Sequence, residues 1–148
     1  CLQTAKFTFR NQHDDAKFSN KLQNTTNKLS KNSVKFKDTT MKKGKKTYTV
    51  QLTGLNKCIA KDKTFNTLYV DTNIKGKDKK KVTVTNVNVF FDGKKVKTIK
   101  KGVLTPDPGQ TDGFVQLQII NMWNSRVAKF KYTMPKKTIK VTYTVKIK

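Results

Sequence analysis

From Thr138 to Lys148 the chain alternates without a break. Ile139, Val141, Tyr143, Val145 and Ile147 share one parity; Thr138, Lys140, Thr142, Thr144, Lys146 and Lys148 share the other. A period of two, rich in β-branched side chains, marks a strand with one buried face. It predicts that the odd-numbered set is buried and the even-numbered set exposed. The same alternation recurs in Ala5, Phe7 and Phe9; in Val34 and Phe36; and in Tyr48, Val50 and Leu52. It returns in Leu68, Val70, Thr72 and Ile74; in Val115, Leu117 and Ile119; and in Ala128, Phe130, Tyr132 and Met134.

One segment changes phase. Val82 and Val84 share a face, whereas Val87, Val89 and Phe91 have the opposite parity. A bulge near Thr85–Asn86 would return both sets to the core. Asp92-Gly93 follows as a hairpin-turn dipeptide, leading into a strand with Val96 and Ile99. Lys42-Lys43-Gly44-Lys45, Lys75-Gly76-Lys77-Asp78 and the Gly/Pro-rich stretch from Pro106 to Gly113 supply further turns. Eight or nine short strands at this spacing predict an all-β fold. The expected form is an antiparallel β-sandwich, immunoglobulin-like or jelly-roll-like, with a barrel as the alternative.

Residues 1–148 fit one domain. Within it, residues 11–32 form a polar insertion without alternation. Asp14 or Asp15 is placed to N-cap a short helix within 14–30, with Phe18, Leu22 and Leu29 on roughly one face. Asn and Thr are poor helix formers, so an irregular loop is the competing expectation. No apolar run reaches the length of a membrane span.

Charge changes this picture. The chain holds 31 lysines, two arginines and nine aspartates but no glutamate, for a formal charge of +24. A drift toward AT-rich codons would raise Lys and Asn, but it would raise Glu as well, and Glu is normally common. A chain this basic repels itself, which suits a polyanionic partner or a demand for solubility.

Catalysis has little support in the sequence. The lone histidine, His13, sits in the polar insertion, and no serine lies in a nucleophile-elbow context. Three adjacent residues such as His13-Asp14-Asp15 do not converge on one ion, so a solvated loop explains them better. Asp107 and Asp112 share a Gly/Pro loop, but without the oxygen-rich spacing and terminal Glu of a calcium loop. No phosphate-cradling or zinc motif occurs. The expectation is no enzyme, no metal and no cofactor.

The lysines remain. Lys42, Lys43, Lys45 and Lys46 form one cluster; Lys77, Lys79, Lys80 and Lys81 a second; Lys94 and Lys95 a third. Smaller groups are Lys100 with Lys101 and Lys136 with Lys137. Turns of a sandwich gather at its ends, so these clusters are candidates for a basic surface that binds polyanions by charge and counterion release. Teichoic acid, lipopolysaccharide and acidic glycans fit this chemistry. Nucleic acid fits less well, because Lys lacks the bidentate fork of Arg and no aromatic motif interleaves the basic residues. The competing explanation is that Lys solvates strand faces and protects sheet edges. Trp123, the sole tryptophan, lies between two predicted strands. It is expected to cover the core, with an exposed ligand-contacting ring as the alternative.

The chain opens on Cys1 without a basic and then apolar leader, which predicts a mature product or a trimmed chain. Cys1 has three readings: a disulfide with Cys58, the lipid-anchored cysteine of a bacterial lipoprotein, or a free thiol.

Phe130–Tyr143 reads as an aromatic-x-Met-Pro segment, a short polar turn and an alternating Val/Thr strand. It resembles the ending of immunoglobulin-like modules in bacterial surface proteins. Gly44–Val50 resembles their second strand. The resemblance covers a minor part of the chain. It implies an extracellular sandwich serving as adhesin module, stalk or envelope protein, and it transfers no site residues.

Together these readings predict a secreted or cell-surface, non-enzymatic module that engages polyanions through lysines. The alternative is a self-associating subunit of an extracellular filament or envelope layer. It would be assembled by strand exchange through Ala5–Phe9 or by a Cys1 crosslink.

Overall fold

The C-terminal alternation forms the central strand of a sheet. The computed structural model describes residues 4–11, 16–22, 34–35, 39–41, 44–52, 65, 67–106, 113–133 and 135–148, with side chains described from residue 44 onward except at 52, 71 and 73. Ile139–Ile147 is strand β11, flanked by β5 (Gly44–Leu52) and β7 (Val82–Phe91). β3 (Val34–Lys35) and β8 (Lys94–Lys101) lie at the two edges, so this sheet runs β3-β5-β11-β7-β8. Ile139, Val141, Tyr143 and Val145 are buried and Ile147 is half-buried, as the parity predicts. The even-numbered set, expected to be exposed, follows only at Lys146 and Lys148: Thr138, Lys140 and Thr142 are half-buried, and Thr144 is buried with its hydroxyl 3.0 Å from that of Thr47 on β5.

The second sheet runs β4-β2-β1-β6-β10-β9. Its strands are β1 (Thr4–Asn11), β2 (Ala16–Leu22), β4 (Thr39–Met41), β6 (Thr67–Lys75), β9 (Val103–Thr105) and β10 (Phe114–Asn121). All its pairings are antiparallel except β1 with β6, which is parallel. Leu68, Val70 and Ile74 of β6 and Val115, Leu117 and Ile119 of β10 meet Val50, Val87, Val89 and Val141 in one shared core. The fold is therefore an all-β sandwich of two mostly antiparallel sheets. Each fully buried Val, Leu or Ile contributes roughly 1.5–3 kcal/mol of transfer free energy, and this shared layer joins the sheets.

The phase change in β7 is a bulge. Thr142 pairs with Asn88 and Thr144 with Thr85, so Asn86 and Val87 together stand opposite Tyr143. Asn86 takes φ 51°, in the left-handed region that Asn tolerates. Val84, Val87, Val89 and Phe91 are all buried in consequence. Asp92 (φ 53°) and Gly93 (φ 81°) then make the two-residue hairpin turn between β7 and β8.

Three expectations are corrected. In the polar insertion Ala16–Leu22 form a strand, β2, in place of the expected short helix or irregular loop, and Ala16, Phe18 and Leu22 already carry a period of two; residues 14–15 and 23–30 lie outside the described residues. The region Ala128–Met134 was expected to alternate as a strand, but residues 128–133 join no ladder. β11, the strand that follows it, is flanked by β5 and β7 and pairs with no part of it. Phe130 and Tyr132 instead pack on the core's rim, and the Tyr132 hydroxyl accepts a 2.8 Å bond from the Phe65 backbone N–H. The Lys75–Asp78 turn is a longer 3₁₀ helix, Gly76–Lys81, which carries the chain from one sheet to the other.

The outer face of the second sheet is also covered at its centre. Tyr69, Gln116 and Gln118 point away from the shared core, yet each is almost fully buried.

Candidate functional site

Strand register sorts the lysines into two groups. Gly44, Ile147 and Val82 form one row across the first sheet. The row gathers Lys45 and Lys46 of β5, Lys146 of β11, and the 3₁₀ helix that runs into Val82. Lys77, Lys80 and Lys81 are exposed on that helix and Lys79 is half-buried, while its acid, Asp78, is buried. The backbone N–H of Lys148 donates to the Lys81 carbonyl at 2.9 Å and joins the helix end to the chain beyond β11.

Lys94 and Lys95 lie at the other end of β7, beside Phe91 and Phe90. Ten residues of β7 separate the groups, roughly 30 Å of strand. Lysine occupies five of the eight positions of β8, a strand at the sheet's edge. Lysines on an edge strand block pairing with another chain, which accounts for Lys94 and Lys95 without a ligand. Lys42, Lys43, Cys1, Cys58, His13, Asp14, Asp15, Asp107 and Asp112 lie outside the described residues. Among the described residues, no three His, Cys, Asp or Glu side chains group to hold a metal ion. No helix among them is long and apolar enough to cross a membrane.

Where β8 crosses from the first sheet to β9 of the second, the sandwich opens into a cleft of about 480 Å³. Gly102 makes the crossing, and its N–H donates to the Val84 carbonyl at 2.8 Å. A Cβ at position 102 would stand 2.7 Å from Leu117 Cδ1 and 3.2 Å from Val84 Cβ, so the close approach requires glycine. The strand segments Val82–Val84 and Gly102–Leu104 form the floor. Lys79 and Lys80 from the 3₁₀ helix, Lys101 from β8 and Arg126 from the loop after β10 supply four cations around it. No acidic side chain lines the cleft among the described residues. Cations around a concave site with low-dielectric walls reinforce one another's field toward an anion.

Lys79 and Lys80 belong to a lysine cluster visible in the sequence and Lys101 to a smaller group, whereas Arg126 stands in neither. The available signal was local. Asn121 and Asn124 are turn-forming residues three apart, just before one of only two arginines in a lysine-dominated chain. The structure uses both. Asn121 Oδ1 accepts from the Trp123 N–H at 3.0 Å, and Asn124 Oδ1 accepts from the Arg126 N–H at 3.0 Å. Both side-chain amides donate to Gln118 Oε1, at 2.9 and 3.3 Å, and Gln118 is 1% exposed.

This loop overturns the expectation for Trp123. The ring is 73% exposed, and Met122 beside it is 52% exposed. Phe65 and Tyr132 cover that end of the core instead, both in contact with Phe91, and Phe130 packs on Tyr132.

Several lysines have aromatic partners. Lys140 Nζ lies 4.4 Å from the Phe90 ring centroid, Lys46 Nζ 5.6 Å from Tyr48 and Lys97 Nζ 6.0 Å from Phe130. These contacts are cation–π in geometry and occupy those side chains on the sheet surface.

No protein-family model matches the chain, and comparison with curated proteins and with solved structures gives no match either.

Proposed function

We propose that the protein is a non-enzymatic binding module, working outside the cell or on its surface, that captures polyanionic partners such as teichoic acid, lipopolysaccharide or acidic glycans. The observation that carries the reading is the cleft at the β8–β9 crossing. Lys79, Lys80, Lys101 and Arg126 converge there, with no acid among the described lining residues. Cations spread for solubility alone gain nothing by sharing a concavity, where they repel one another. The extracellular setting rests on the resemblance of Phe130–Tyr143 to modules of bacterial surface proteins. The filament alternative draws no support from β1, which is hydrogen-bonded on both sides, to β2 and β6, within its own chain.

Salt dependence tests the reading. Binding to polyphosphate, a plain polyanion, should weaken with salt, and log affinity should fall linearly with log salt. The triple substitution Lys79→Glu, Lys80→Glu and Lys101→Glu should reduce the slope by about two to three, close to one per lost phosphate contact. Lys94→Glu with Lys95→Glu serves as the control and should leave the slope near its original value. Equal effects of the two sets would remove the cleft from the account. Salt-independent binding would remove electrostatic capture itself.

A further inference from the structure

The loop Asn121–Val127 lies between two unlike surfaces. On one side Arg126 reaches the basic cleft. On the other, Met122 and Val127 border an apolar groove of about 240 Å³ whose walls include Phe65, Ile120, Phe130 and Tyr132. Between them the loop presents Met122 and Trp123 outward, 52% and 73% exposed.

A single exposed apolar residue needs no explanation. Here two large ones are adjacent, and the loop that carries them is held firmly. The Asn121 and Asn124 carboxamides each bond a backbone N–H within the loop and also bond the buried Gln118. Two backbone bonds, Asn124 N–H to the Asn121 carbonyl at 3.2 Å and Val127 N–H to the Asn124 carbonyl at 3.1 Å, close successive turns. This network, which includes the Trp123 N–H, holds the backbone that carries the exposed ring, so the loop backbone has little conformational freedom left to lose on binding.

The surroundings select the partner. Arg126, Lys129 and Lys131 are exposed around the loop. No acidic residue occurs anywhere from Gly113 to Lys148. A Trp–Met tip ringed by cations matches the boundary of an anionic bilayer. Tryptophan favours the headgroup level, and basic side chains are drawn to the negative surface. A soluble acidic glycan would use the cations but leave Met122 and the apolar groove in water.

We propose that the loop Asn121–Val127 docks this protein on anionic bilayers, with Trp123 and Met122 entering the headgroup–acyl boundary and Arg126 and the cleft lysines facing lipid phosphates. This rests on the polyanion-binding reading and adds the lipid surface as the partner. Trp123 is the chain's sole tryptophan, so emission excited selectively at tryptophan, at wavelengths where the four tyrosines do not absorb, reports this loop alone. On addition of vesicles containing phosphatidylglycerol, the emission should shift to the blue and resist quenching by acrylamide. Vesicles of phosphatidylcholine alone should produce neither change. In co-sedimentation, Trp123→Ser with Met122→Ser should lower affinity for the phosphatidylglycerol vesicles by on the order of tenfold or more, since the apolar contribution is lost. The same double variant should bind polyphosphate as before. Both side chains are largely exposed, so the substitutions remove little core contact.

If the vesicles bind while Trp123 keeps its aqueous emission, the docking loop is wrong and electrostatic capture by the lysines stands. A response of Trp123 to neutral vesicles, or to an acidic polysaccharide but not to vesicles, overturns the choice of partner. If neither polyphosphate nor anionic vesicles bind at low salt, the polyanion reading fails and the docking proposal falls with it.

Discussion

Asp92 ties two distant parts of the chain together, and replacing it tests how much one carboxylate holds. The residue sits in the β7–β8 hairpin turn. Its Oδ1 accepts from the backbone N–H groups of Lys137 and Thr138 at 2.7 and 3.0 Å, and its Oδ2 accepts from that of Lys136 at 2.8 Å. Its own N–H donates to the Thr138 carbonyl at 3.0 Å. The turn therefore holds the chain just before β11 starts. Burial by itself would raise the Asp92 pKa; the three backbone donors and the charge of Lys137 outweigh it and hold the carboxyl below the ordinary range. A bond to a charged acceptor contributes about 1.5–3 kcal/mol, and the low end applies at this exposed site. Asp92→Asn keeps a residue that tolerates φ 53° but replaces one oxygen with a donor and removes the charge, so it should cost about 1–2 kcal/mol. That corresponds to a fall of about 3–6 °C in Tm for a chain of this size. Asp92→Ala loses all three bonds and the turn preference, and should cost about 2–4 kcal/mol.

The pH dependence has a definite sign. A carboxyl whose pKa is lowered in the folded state stabilises above its unfolded value, near 3.9, and that stability is lost as pH falls through the folded value. The gap between wild type and Asp92→Asn should be full at pH 7 and shrink below about pH 4. Urea denaturation followed by circular dichroism at both pH values measures it. Equal midpoints at pH 7, or a gap that persists undiminished in acid, would refute the argument that charge-assisted bonds hold β11 to the hairpin.

Three further outcomes follow from packing and backbone geometry. Asn86→Gly should leave thermal stability nearly unchanged, whereas Asn86→Val should cost about 1–2 kcal/mol, because the bulge holds φ 51° and a β-branched residue resists it; paired melting curves decide. Tyr132→Phe should cost about 1 kcal/mol in denaturant titration by leaving the Phe65 N–H without its 2.8 Å acceptor. Val141→Asp should cost several kcal/mol or abolish folding, since the site is 0% exposed and β11 is flanked on both sides, with proteolytic susceptibility as the readout.

Period-two alternation made most of the sandwich legible, because a residue's parity in a strand decides its face whatever lies beside it. The core positions of β5, β6, β10 and β11 and the bulge in β7 all followed from it. The Asp92-Gly93 turn was legible from residue type instead, since positive φ at both positions selects a narrow set of residues. Alternation could not say whether a strand finds a partner. Residues 128–133 carry the same pattern as β11 yet join no sheet; Phe130 and Tyr132 pack on the rim of the core instead. Nor could it say whether an outward face meets water: Gln116 and Gln118 alternate as a solvated face would, yet both are buried, and Gln118 anchors the loop that exposes Trp123. The lysine count raises only the expectation of a polyanionic partner. Which lysines share a cleft depended on strand register and on the close crossing at Gly102, which brings Lys79, Lys80, Lys101 and Arg126 together from three separate segments and leaves Lys94 and Lys95 at the far end of β7. Composition sums charge along the chain, whereas the field at a site depends on distances in space, and only the tertiary structure sets those.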